Sequence, residues 1–126
     1  MHGLHLTADL YQCGCDAALL TDPQRLGAQC VQAVAAAGLQ AVAQLFHTFP
    51  DSSHGPGGVT ATVLLAESHL CVHTWPEASA VTLDVYVCNF GGDHSSKAHA
   101  LMDALRQLFL AAACTLNQLE RGGVSA

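Results

Sequence analysis

The stretch HGLHLTADLY, residues 2–11, alternates apolar and polar side chains without a break. Leu4, Leu6, Ala8 and Leu10 fall on one side, and His5, Thr7, Asp9 and Tyr11 on the other. AVTLDVYV, residues 80–87, does the same with Val81, Leu83, Val85 and Val87. Successive side chains of a strand project to opposite faces, so each stretch reads as a half-buried strand. Two such strands in one short chain require a sheet with one dry face and an apolar layer to cover it.

Two helices supply that layer. Asp22 followed by Pro23 is a cap and first-turn signal. The helix it opens carries Leu26, Cys30, Val34 and Ala37 along one side and stops at Gly38. A second helix lies within GGDHSSKAHALMDALRQLFLAAA, capped near Asp93 or Ser95, with Leu101, Leu105, Leu108 and Ala112 inward. LQAVAQLFHTF, VTATVLLA and a short closing CTLNQLE read as further strands, CGCDAALLTD and PDSSHGPGG as loops, and RGGVSA as a tail. The expected order is β-α-β-β-(β)-β-α-β. It makes one two-layer α+β domain over residues 1–126, an antiparallel sheet with both helices on one face. The second face then needs cover, and another copy of the chain is the simplest source.

Composition agrees with a covered surface. Of 126 residues, 51% are hydrophobic and only 11% charged, where a lone globular domain carries about a quarter charged. The net charge is −6 with four Lys and Arg in all, which argues against a nucleic-acid partner. No apolar run approaches a membrane span and no signal peptide opens the chain, so a cytoplasmic protein with no membrane partner is expected. In that setting the six cysteines are expected as reduced thiols, Cys30 and Cys114 as core filler.

The densest chemistry follows VTATVLLA, expected as a buried strand and ending in apolar Val63, Leu64, Leu65 and Ala66. Glu67, Ser68, His69, Cys71, His73 and Glu77 crowd into residues 67–77. One reading is a polar strand end facing water. A second is a metal site, since His69, Cys71 and His73 share a strand face and Cys13 and Cys15 could add thiolates. C-x-C with H-x-C-x-H nevertheless departs from the usual spacing of structural zinc ligands. A third is a Ser-His hydrolase, but adjacent Ser68 and His69 point to opposite faces and no G-x-S-x-G turn is present.

The fourth reading is a resemblance. AESHLCVHTWPE, residues 66–77, resembles the processing site of the prokaryotic S-adenosylmethionine decarboxylases, small pyruvoyl-dependent enzymes. It matches the fixed positions of their (S/A)-E-S-H-x-x-x-H-T-W-P-E pattern. HLTADLYQCGCD, FHTF and LDVYVC are similar to flanking segments of that family, so the likeness runs through most of the chain. The resemblance implies a proenzyme whose Ser68 Oγ attacks the Glu67 carbonyl. The chain is cut into residues 1–67 and 68–126, and Ser68 becomes an N-terminal pyruvoyl group, the covalent cofactor. That group would form a Schiff base with the substrate amine and accept electrons as carbon dioxide leaves.

By the same resemblance Cys88 is the acid that protonates the substrate carbon, His73 removes a proton during self-cleavage, and Thr60 stands where a serine usually assists it. Phe49 matches an aromatic that stacks on adenine, and Glu77 a carboxylate suited to ribose hydroxyls. The implied partners are S-adenosylmethionine and a second protomer, with sites at the homodimer interface and no metal. The implied product is an aminopropyl donor for spermidine synthesis. Ala78-Ser79 after TWPE, Asn89 after Cys88, Asp9 and the long PDSSHGPGG loop depart from the family's usual residues. These departures surround the substrate, so arginine or ornithine decarboxylation on the same fold is the first alternative and an uncut binding paralogue the second.

Overall fold

Strict alternation becomes strict burial. In the computed structural model, which describes residues 1–123, the chain runs β1 (His2–Cys13), α1 (Ala18–Thr21), α2 (Pro23–Ala36), β2 (Ala41–Thr48), β3 (Val59–Leu65) and β4 (Ser68–Trp75). A 3₁₀ turn (Pro76–Ala78) leads to β5 (Ala80–Cys88), α3 (Ser95–Leu108) and β6 (Ala111–Gly122). The six strands form one antiparallel sheet in the order β2-β3-β4-β5-β1-β6. The two alternating segments pair near its centre, Leu6 opposite Val85 and Leu10 opposite Val81.

Leu4, Leu6, Ala8 and Leu10 of β1 and Val81, Leu83, Val85 and Val87 of β5 all lie in the core. Leu26, Cys30 and Val34 of α2 and Ala98, Leu101, Met102 and Leu105 of α3 cover them from one side. Full burial of each Leu or Val contributes about 1.5–3 kcal/mol, which is what binds helix layer to sheet. The expected two-layer α+β domain is therefore the observed one. Among the described residues no helix lies on the opposite sheet face, and Leu45, Leu64, Trp75 and Leu119 stand exposed.

Capping of α2 works as the residues suggest. Asp22 Oδ1 accepts from the N–H groups of Gln24 (3.0 Å) and Arg25 (3.4 Å), with Pro23 in the first turn. Gly38, at φ +84°, follows the last turn of α2. At α3 the N-cap is His94, between the two expected residues and without a side-chain cap bond, while Asp93 Oδ1 accepts from Ser95 N–H at 2.9 Å.

Four local expectations need correction. CGCDAALLTD is not all loop, because Ala18–Thr21 close one helical turn and bury Leu19 and Leu20. Ala112 does not continue α3, which ends at Leu108; the chain turns at Leu110, φ +50°, and Ala112 is an exposed residue of β6. The closing strand is not short, since Ala111–Gly122 runs the full length of β1. It takes in Arg121 and Gly122 of the expected tail, while residues 124–126 lie outside the described residues. Finally, the strand into the reactive stretch is not buried throughout: Leu64 is exposed between buried Val63 and Leu65.

Candidate active site

The β3–β4 hairpin sets the site. Leu65 pairs with Ser68, so only Ala66 and Glu67 make the turn. Glu67 has φ +60°, a left-handed conformation that costs a residue with a Cβ about 1–2 kcal/mol and usually goes to glycine. The peptide bond following this residue is Glu67-Ser68. Ser68 Oγ accepts a hydrogen bond from the backbone N–H of Cys88, 3.1 Å away across the sheet. Where the β4–β5 ladder ends, a hydroxyl takes the place of a carbonyl.

A cavity of about 350 Å³ opens at this point, lined by Glu67, Ser68, Cys88, Phe90, His94 and Lys97 among others. A larger groove of about 580 Å³ runs between α2 and β2, walled by Gly27, Val31, Leu45 and Phe46. Its lining includes no ionisable side chain, whereas the smaller cavity is lined by Glu67, Ser68 and Cys88. His94 and Lys97 are wall residues that sequence reasoning missed. His94 Nδ1 is buried with no hydrogen-bond partner among the described residues, and such a group is poised to meet a polar ligand atom.

The remaining expected residues gather at the other end of β4. Thr60 pairs with His73 across β3–β4, and Thr60 Oγ1 lies 3.2 Å from His73 Nδ1. Phe49 packs on Trp75 with ring centroids 5.9 Å apart and planes inclined by 37°. Glu77 follows in the 3₁₀ turn, exposed. Phe49 owes its place to two glycines, because a Cβ at Gly57 would strike the Phe49 carbonyl and one at Gly58 the Thr74 carbonyl. The PDSSHGPGG loop thereby folds back onto the strand ends. Ser68 and His73 are five steps apart along the strand, roughly 16 Å, so the two groups do not meet within one chain.

His69, Cys71 and His73 do share a face, yet each turns to a different neighbour. His69 Nε2 lies 3.0 Å from Asp84 Oδ2, Cys71 Sγ 3.6 Å from Thr62 Oγ1, and His73 meets Thr60. They do not converge as a ligand set. Burial and the neighbouring Cys15 thiol push Cys13 up to about 11.

The sequence profile of the family described as S-adenosylmethionine decarboxylase matches residues 4–122. This chain belongs to that family. Among its relatives, an S-adenosylmethionine decarboxylase proenzyme of Pelotomaculum thermopropionicum is 34% identical over 120 residues, covering 95% of this chain and 86% of that protein. One from Aquifex aeolicus is 42% identical over 101 residues, 80% of this chain and 67% of that protein. With a Caldanaerobacter subterraneus relative the likeness is 39% over 92 residues, just under two thirds of its length at 66%. The crystal structure of the adenosylmethionine decarboxylase from Aquifex aeolicus superposes with a TM-score of 0.82 at 36% identity, over 98% of this chain and 92% of that one. The S-adenosylmethionine decarboxylase fold is thus shared along nearly the whole chain.

Proposed function

We propose that this chain is a self-processing S-adenosylmethionine decarboxylase, cut between Glu67 and Ser68 into residues 1–67 and 68–126. The observation that carries the reading is the pairing of a left-handed Glu67 with a Ser68 hydroxyl already held by the Cys88 N–H. Attack of Ser68 Oγ on the Glu67 carbonyl carbon exchanges a C–N bond for a C–O ester, and the freed amine stays on residue 68. Loss of the Cα proton then breaks the Cβ–Oγ bond, leaving a Glu67 carboxylate and a dehydroalanine. Water hydrolyses its imine tautomer, releasing ammonia and leaving a pyruvoyl end. Relief of the turn strain favours the first step, and the N–H donor stabilises negative charge as it grows on Oγ.

The cavity suits such a group, since Ser68 and Cys88 both line it. A pyruvoyl group supplies there a ketone that engages the substrate amine and takes up the electrons of the breaking carboxyl bond. Cys88, half-buried at the end of β5, is the proton donor to the substrate carbon. His73, braced by Thr60, moves the proton in self-cleavage. Phe49, backed by Trp75, offers a flat face to adenine, and Glu77 an acceptor for ribose hydroxyls.

The split between the ends of β4 supports a homodimer. A second copy laid end for end over the helix-free sheet face would bring its Thr60, His73, Phe49 and Glu77 toward Ser68 and Cys88 of the first. It would also cover Leu45, Leu64 and Leu119. Among the described residues no helix is long and apolar enough to cross a membrane.

The test is carbon dioxide release from S-adenosylmethionine, arginine and ornithine side by side. Release from S-adenosylmethionine is expected; release from arginine or ornithine alone would keep the mechanism and overturn the substrate.

A further inference from the structure

His69 immediately follows Ser68, and its side chain ends a polar row that crosses four strands. Arg121 Nη1 of β6 donates to His5 Nδ1 of β1 at 2.9 Å. His5 Nε2 meets Asp84 Oδ2 of β5 at 2.9 Å, and His69 Nε2 of β4 meets the same oxygen at 3.0 Å. Tyr86 completes a triangle of rings with the two imidazoles, stacked on His69 at 5.6 Å and edge-on to His5 at 5.7 Å, the imidazoles being 5.9 Å apart. A guanidinium only donates, so His5 Nδ1 is an acceptor and the His5 hydrogen sits on Nε2, directed at Asp84. The same reasoning speaks against a metal ion on His5, His69 and Asp84, although their ligand atoms lie within 4.8 Å of one another. Such an ion would need the lone pair of His5 Nε2, which the Arg121 bond leaves protonated.

Resting on the self-processing reading, we propose that this row anchors the chain end that cleavage creates. In the uncut chain residue 68 is restrained by the Ala66–Glu67 turn, by pairing with Leu65 and by the Cys88 N–H on Oγ. Cutting removes the first restraint. It also removes the third, because Oγ departs as an oxygen of the Glu67 carboxylate. A strand end left with one backbone pairing frays at almost no free-energy cost. His69 is then the first side chain beyond the cut with a partner of its own. Asp84 and Tyr86, which hold it, share the β5 face of Cys88. The row therefore ties the new terminus to the strand that carries the thiol. His69 and Asp84 are positioning residues in this scheme.

The experiment compares wild type, His69→Ala and His69→Gln, the last keeping an N–H within reach of Asp84. Self-cleavage is followed by intact mass, strand order by hydrogen exchange over residues 69–72 of the cut protein, and turnover by carbon dioxide release. His69→Ala is expected to cut to completion and to exchange faster over residues 69–72. Its kcat should fall roughly tenfold to a hundredfold with KM within about threefold, the signature of a displaced reacting atom. His69→Gln should recover part of both losses. A His69→Ala protein that cuts, exchanges and turns over like wild type would overturn the anchor, as would one that folds but no longer cuts. Should His69→Ala fail to fold, Asp84→Asn faces the same comparison, and unchanged exchange and kcat there also overturn it. Wild type that stays whole overturns the processing reading, and the anchor with it.

Discussion

Replacing Cys88 with alanine leaves Ser68 Oγ its partner, because the donor is the backbone N–H of residue 88 and not the thiol. Cys88→Ala should therefore still cut itself while losing roughly 10²–10⁴-fold in turnover, the usual loss with a general acid. Gel separation of the fragments beside a turnover assay checks both halves, and full activity would assign the acid elsewhere. His73→Ala should show the reverse order of damage, with slow cutting seen first as accumulated full-length chain. Thr60→Ala should slow cutting less, since it removes only the brace on His73 Nδ1. Phe49→Ala should raise KM, because stacking of a base on an aromatic ring is worth about 1–3 kcal/mol; an unchanged KM in steady-state assays would deny Phe49 that contact. As the residues proposed for these roles, Ser68, His73, Cys88 and Phe49 were legible through the resemblance of AESHLCVHTWPE, LDVYVC and FHTF to the family's segments. Strand pairing was not. The row from Arg121 to His69 is not legible in the sequence, which gives no register, and only register sets His5 and His69 beside Tyr86.

Among the elements, β4 carries both structure and chemistry on alternate residues. Leu70 and Val72 are buried toward the helices, whereas His69, Cys71 and His73 are half-exposed on the other face. Thr74 continues the buried set as the one polar residue among them. Its Oγ1 accepts from Val59 N–H at 2.8 Å and donates to Leu20 C=O at 2.7 Å, fastening α1 and β3 to β4. Thr74→Val keeps the shape but strips two buried backbone groups of a partner, so it should cost about 1–3 kcal/mol. A lower urea midpoint with an unaltered slope would show it, and an unmoved midpoint would contradict it. This fastening explains why CGCDAALLTD was misread as loop. Four helical residues are too few for a period to appear, and they persist because Leu19 and Leu20 are buried and Thr74 holds the Leu20 carbonyl. The long alternating strands were legible because their period repeats; β6 was misjudged in length because its first residues, AAAC, continue the apolar composition of α3.

For the whole molecule, the proposed second copy across the helix-free sheet face would account both for that bare face and for the two separated residue groups. Mixing processed Cys88→Ala chains with His73→Ala chains then has a distinctive outcome. Heterodimers carry one site with both defects and one with neither, so mixed protein should regain activity that neither parent shows. No recovery after exchange of subunits would mean that each chain builds its site alone. The central claim is earlier in the sequence of events than any of this, namely that the chain cuts itself at Glu67-Ser68. Its most direct test is the intact mass of the purified protein after incubation. The account predicts two pieces, residues 1–67 and residues 68–126, the second lighter by one ammonia than the same piece ending in serine, with Ser68→Ala remaining whole. A wild-type protein that stays a single chain of 126 residues would contradict the account and leave an uncut binding paralogue on this fold.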